Sequence, residues 1–90
     1  MFEMPLRPID TKPFLKVRWE NESNRRYYEA WVDEDLFGWV LTRIWGKKGT
    51  SLGQVVHQPC CDFQSGVNEI NLIDKRRKQH GYNAVSVVSQ

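Results

Sequence analysis

Cysteine is nearly absent from this 90-residue chain, and the two that occur, Cys60 and Cys61, are neighbours. Adjacent cysteines cannot close a useful loop with each other and have no third to pair with, which argues against a secreted disulfide scaffold. Long apolar runs are missing as well. The longest nearly apolar stretch, Leu36 to Leu41, is far too short to span a bilayer, and no basic patch followed by an apolar run stands at the N-terminus. The chain therefore reads as cytoplasmic, with no membrane partner. Charge of one sign is not in excess: 13 Lys and Arg against 11 Asp and Glu give a net charge of +2, which alone says nothing about an acidic partner. A phosphate-binding glycine loop, a nucleophile elbow and a paired metal-binding histidine motif are all lacking.

What is present points to one compact domain, because the length lies below that at which chains split into domains, and a two-domain enzyme is excluded. Four Trp, three Tyr and four Phe are rich for this length and predict a core dominated by a few rings. No metal or disulfide is needed to explain folding, and no cofactor is expected. Charge is unevenly spread. Residues 1–35 carry six basic and eight acidic side chains, whereas residues 36–90 carry seven basic and three acidic, so the basic character belongs to the C-terminal part.

Residues 1–13 hold Pro5, Pro8 and Pro13 without a hydrophobic period and predict an extended arm ahead of a single domain over residues 14–90. From Phe14 to Glu20, Leu15, Val17 and Trp19 alternate with Lys16, Arg18 and Glu20, the period of a strand, and Asn21 to Asn24 follow as a polar turn. Arg26 to Val32 alternates likewise with rings on both faces, ends at the acidic cluster Asp33-Glu34-Asp35, and pairs most economically as a hairpin with the first strand. Trp39 to Lys47 is a third strand entered after Gly38. One of its faces carries Val40, Thr42 and Ile44, the other Trp39, Leu41, Arg43, Trp45 and Lys47. Gly53 to Gln58 reads as a fourth strand stopped by Pro59. Ser65 is the expected N-cap of a helix from Gly66 to His80, closed by Gly81, with Val67, Ile70 and Ile73 as its apolar stripe and Leu72 on the flank. Asn83 to Val88 is a last strand, with Ser89 and Gln90 as a frayed end. Strand and helix order together give an α+β class.

Trp45-Gly46-Lys47-Lys48-Gly49 is the first segment with chemistry in it, since a flat ring beside cations and bare backbone suits a phosphate-sugar surface. Arg43 and Lys47 flank Trp45 at two residues on either side and so share its face, and Gly46 and Gly49 leave room for a ligand. The competing reading makes Trp45 a core aromatic with snorkelling neighbours. Lys75-Arg76-Arg77-Lys78 is a second basic run, whose place near a helix C-terminus has its own dipole rationale. At 100° per residue Lys75 and Lys78 fall near Asn68 and Asn71 while Arg76 and Arg77 point elsewhere, so the four are not one patch. His57, Cys60, Cys61 and His80 lack the spaced-pair geometry of a zinc site, and no third group orients a Cys–His pair for catalysis. Buried, inert thiols are expected. Asp33, Glu34 and Asp35 read as solvated turn residues.

From Arg26 to Tyr82 the chain resembles a WGR domain, the small module named for a Trp-Gly-Arg signature. The resemblance rests on Tyr27-Tyr28, on Asp35-Leu36-Phe37-Gly38-Trp39, on Arg43-Ile44-Trp45-Gly46-Lys47-Lys48-Gly49, on Gly53-Gln54, on Phe63 before the helix, and on a basic helix ending in Gly81-Tyr82. It implies an antiparallel sheet of four to five strands with one helix packed on one face. WGR domains occur in poly(ADP-ribose) polymerases, where they contact DNA at breaks and touch neighbouring domains, and in many bacterial proteins. By that resemblance Trp45 matches the Trp that packs against a DNA end, and Lys47 stands where the motif has Arg, keeping the charge and losing the planar fork of guanidinium. A chain of this length has no room for the zinc fingers, helical regulatory domain or transferase domain of the polymerases. Two functions follow: a non-catalytic DNA-binding module using Trp45, Gly46, Lys47, Lys48 and Arg43 with Lys75 and Lys78 on phosphates, or a protein-interaction adaptor using the same surface toward a partner or domain supplied in trans. The oligomeric state is left open.

Overall fold

The computed structural model describes residues 12–51 and 53–90, so most of the expected N-terminal arm lies outside the described residues. Five strands and one helix follow in the order β1 (Leu15–Asn21), β2 (Arg26–Asp35), β3 (Gly38–Lys47), β4 (Gly53–Cys60), α1 (Phe63–Gln79) and β5 (Asn83–Ser89). They form a single antiparallel sheet of strand order β4-β3-β2-β1-β5 with α1 across one face. Among the described residues no helix is long and apolar enough to cross a membrane.

Period-two alternation sorts the strands onto two faces. In register, Leu15 meets Val32 and Leu41, Val17 meets Ala30 and Arg43, and Trp19 meets Tyr28 and Trp45, all on the side that α1 covers. The helix supplies Gly66, Ile70 and Ile73 to this layer, while Leu72 stands exposed. Gly66 lets the helix approach β2 closely: a Cβ there would sit 2.6 and 2.7 Å from the two methyls of Val32. Trp19 is fully buried, and its indole N–H donates to Asp74 Oδ1 at 2.8 Å, which satisfies the one polar atom such a ring brings into a core.

Several boundaries differ from expectation, each for a local reason. The helix starts three residues before Gly66 because Asp62, not Ser65, is the cap: its carboxylate accepts the Ser65 N–H at 2.8 Å, and Phe63 anchors the first turn with its ring centroid 5.6 Å from that of Trp39. Gly81 closes the helix as expected, at φ +88°, with the Gly81 and Tyr82 N–H groups donating to the carbonyls of Lys78 and Arg77. Pro59 does not stop β4, since on an edge strand its missing N–H faces no partner. The acidic cluster does not form the turn after β2. Asp33 to Asp35 are still in the strand, and the turn is Leu36-Phe37. Nor is the C-terminus frayed, because Gln90 exchanges backbone hydrogen bonds of 2.9 and 3.4 Å with Phe14.

At the other end of the sheet, buried Asn21 joins two elements. Its Oδ1 accepts from the N–H groups of Ser23 and Asn24, fixing the β1–β2 turn, and its Nδ2 donates to the carbonyl of His80 at the end of α1. The turn, the last residues of β3 and the C-terminal end of the helix thus lie together.

Candidate functional site

Trp45 sits near the end of β3 on the helix-covered face, half-buried. Its ring stacks on Tyr28 with centroids 5.5 Å apart and planes 9° from parallel. Tyr28 in turn meets Trp19 edge-on at 5.9 Å, and the Arg77 guanidinium lies 4.7 Å from the Tyr28 centroid and 5.2 Å from that of Tyr82. Both readings of Trp45 therefore apply: it packs on the core, and it also lines an open cleft of about 420 Å³ together with Arg26, Gly46, Lys47, Gly53 and Gln54.

Around this cleft the cations divide by partner. Arg43 shares the face of Trp45 as expected but is tied down: Nη2 donates to Gln58 Oε1 at 2.6 Å and lies 3.8 Å from Glu69 Oε1. Lys48 turns away to a network along β1 and β2, with Nζ 3.1 Å from Glu20 and 3.2 Å from Glu22. Hydrogen bonds to Glu20 and Glu22 push the Lys48 ammonium up from its ordinary value, and those from Arg18 and Lys48 hold the Glu20 carboxyl down. Lys78 pairs with Asp74 at 3.0 Å beside a groove lined by Leu15, Val17, Ala84 and Val87 on the β1–β5 side of the helix. Lys75 is exposed on the solvent side of α1 and forms no ion pair among the described residues. The structure thus does not bring Lys75 and Lys78 to Trp45.

Other cations stand there instead. Arg26 is directly opposite Lys47 across the β2–β3 ladder, and both are exposed. Arg76 lies two helical turns beyond Glu69, whose side chain reaches Arg43, and so shares the flank that faces β3. Among the described residues Arg25, Arg26, Lys47, Arg76 and Arg77 form no ion pair, and all five belong to the pole where Asn21 joins the turn to the helix end. Among the described residues the buried Arg77 Nε finds no hydrogen-bond partner.

Of the glycines near the cleft, Gly46 and Gly53 line it and Gly49 lies in the turn after β3. Gly46 directs its missing side chain to the face opposite Trp45, where Tyr27 is its cross-strand neighbour; the Tyr27 hydroxyl would lie 2.9 Å from a Cβ on Gly53. Gly46 borders the cleft through its backbone. Gly49 takes φ +83° in the turn after β3.

Of the residues weighed for metal or thiol chemistry, His57 Nδ1 lies 3.1 Å from Thr42 Oγ1 and His80 Nδ1 2.8 Å from the Arg76 carbonyl. Among the described residues no group of three or more His, Cys, Asp or Glu is placed to hold a metal ion. Burial pushes the Cys60 thiol up from its ordinary value, in keeping with an inert thiol, whereas Cys61 is exposed rather than buried.

Sequence reasoning missed Arg26, Tyr28, Gln54 and Arg77. A register signal for Arg26 was present: a two-residue turn at Leu36-Phe37 places Asp35 opposite Gly38 and, nine residues back along each strand, Arg26 opposite Lys47. No family model matches the chain, and no curated protein or solved structure matches it.

Proposed function

We propose that this chain is a non-catalytic nucleic-acid-binding module that holds DNA at the Trp45 cleft, the sugar or base against the ring and the phosphates against Arg26, Lys47 and the helix-end arginines. The observation that carries the reading is the segregation of charge. Among the described residues Lys12, Lys16, Arg18, Arg43, Lys48 and Lys78 pair with carboxylates, whereas Arg25, Arg26, Lys47, Arg76 and Arg77 form no ion pair and gather at the pole beside a partly exposed indole. Unmatched cations gain by displacing counterions from phosphates, and an aromatic ring stacks on any base or sugar face. The WGR resemblance supports the same residue, Trp45, by an independent route. Lys47 acts in this reading as a point charge, without the bidentate geometry of arginine.

The test is a fluorescence-anisotropy titration of the purified chain against blunt, nicked and single-stranded DNA at two salt concentrations, with Trp45→Ala alongside and circular dichroism as the check on folding. Binding that weakens with salt and with the substitution is expected. Failure of the folded protein to bind any of the three at low salt overturns the reading and leaves the adaptor role, in which the same surface docks a protein.

A further inference from the structure

The β2–β3 hairpin ends in two large apolar side chains, Leu36 and Phe37, each 96% exposed. Nothing in the turn requires them. The backbone there is fixed by the Asp35 carboxylate accepting the Phe37 N–H at 2.7 Å and by Gly38 at φ +130°, and turn positions of this kind are ordinarily filled by Asn, Asp, Ser or Gly. Two adjacent exposed apolar side chains at a tip are a patch that costs solubility without serving the fold. Behind them stands a collar of Asp33, Glu34 and Asp35. Glu34 pairs with Lys12 at 3.1 Å, and among the described residues Asp33 and Asp35 form no ion pair.

The other end of the same hairpin has the opposite character: an open cleft against the Trp45 ring, rimmed by Arg26 and Lys47, with Arg25 beside it in the turn. We infer that the Leu36-Phe37 tip of one copy seats in the Trp45 cleft of a second copy, with Phe37 against the indole and the acidic collar facing Arg25, Arg26 and Lys47. Charge complementarity selects this occupant, because the chain itself carries the unmatched cations that the collar needs beside an aromatic-lined recess the tip can enter. The contact must be between molecules. Ten-residue strands put the tip about 30 Å from its own cleft. Such a contact joins two different surfaces, leaves a free tip on one copy and a free cleft on the other, and extends head to tail instead of closing at a dimer. The inference uses the shape and charge of the cleft and stands apart from the DNA reading, although DNA and the tip would compete for the same recess.

Sedimentation velocity from micromolar to millimolar protein tests it, using the wild type and two exposed-residue variants verified as folded by circular dichroism. The tip variant is Leu36→Ser with Phe37→Ser, and the cleft variant is Arg26→Glu with Lys47→Glu. The wild type is expected to form oligomers that grow with concentration, and each variant alone to stay monomeric. An equimolar mixture of the two is expected to give a one-to-one heterodimer and nothing larger, since only one good tip and one good cleft then meet. A wild type that stays monomeric at millimolar concentration overturns the inference and leaves a different basic protein as the tip's partner. A tip variant that still assembles, or a mixture that forms no heterodimer, overturns it in favour of another interface such as the edge strands. The tip variant should retain DNA affinity, so failure of self-association and failure of DNA binding are read separately.

Discussion

Salt dependence separates the cations that can meet a phosphate from those already matched by a carboxylate. Each phosphate neutralised on duplex DNA contributes about −0.9 to the slope of log affinity against log salt. Raising salt from 50 to 200 mM therefore weakens binding by about 3.5-fold per contact, and by about 12-fold for two. Arg26 and Lys47 are exposed, face each other across the ladder and flank Trp45 without ion pairs among the described residues. Replacing both with Ala is expected to make the slope shallower by about 1.8. Lys48→Ala and Lys78→Ala are expected to leave the slope unchanged, because those ammonium groups lie 3.0–3.2 Å from carboxylates and would have to abandon them first. Anisotropy titrations at four or more salt concentrations measure every slope on one duplex. If neutralising Lys48 or Lys78 flattened the slope as much as neutralising Arg26 and Lys47, the division into matched and unmatched cations would be refuted.

Two further substitutions probe the scaffold beneath the cleft. Gly66→Ala gains about 1 kcal/mol of helix propensity but drives a Cβ to 2.6 and 2.7 Å from both methyls of fully buried Val32. Overpacking of about 1–3 kcal/mol outweighs the gain, and the urea midpoint should fall; a midpoint at or above wild type would show that the helix simply lifts away. Asp74→Ala strands the buried Trp19 indole N–H and should lower stability by about 1–3 kcal/mol, whereas Asp74→Asn keeps an acceptor and should lose less. The Trp19 indole, followed by Lys78, holds the Asp74 carboxyl below the ordinary aspartate value of 3.8, so its contribution is present above that value and is lost as pH falls through the lower folded one. Denaturation midpoints at neutral and acid pH should therefore show a steeper acid loss in the wild type than in Asp74→Asn.

The strands were legible because their period of two survives any tertiary context: Val17 and Trp19, or Leu41 and Trp45, face the helix as alternation requires. Trp45 and Lys47 were legible for the same reason. The fate of the other cations was not, because an ion pair depends on register and on which elements cross. Lys48 meets Glu20 only once β1, β2 and β3 are aligned, and Lys78 faces away from Trp45 only because α1 presents Ile70 and Ile73 to the sheet. Ser65 reads as the cap on the sequence alone, since a Ser just before an apolar stripe satisfies the cap rule. Packing of Phe63 against Trp39 decides the matter, and that contact joins residues far apart in the chain.

The amide of Asn21 bonds the start of the β1–β2 turn to the last carbonyl of the helix, so the unmatched cations come from three stretches of chain that meet only after the sheet has formed and the helix has docked. The basic pole is thus a property of the native state and is absent from the unfolded ensemble, where 20 residues of coil lie between Arg26 and Lys47 and 29 between Lys47 and Arg77. A polyanion that needs the assembled pole binds the native state preferentially. By mass action it adds to the free energy of unfolding, about 2.7 kcal/mol at a hundredfold excess over its Kd. A small domain with a modest core would then owe part of its resistance to unfolding in the cell to occupancy of that pole.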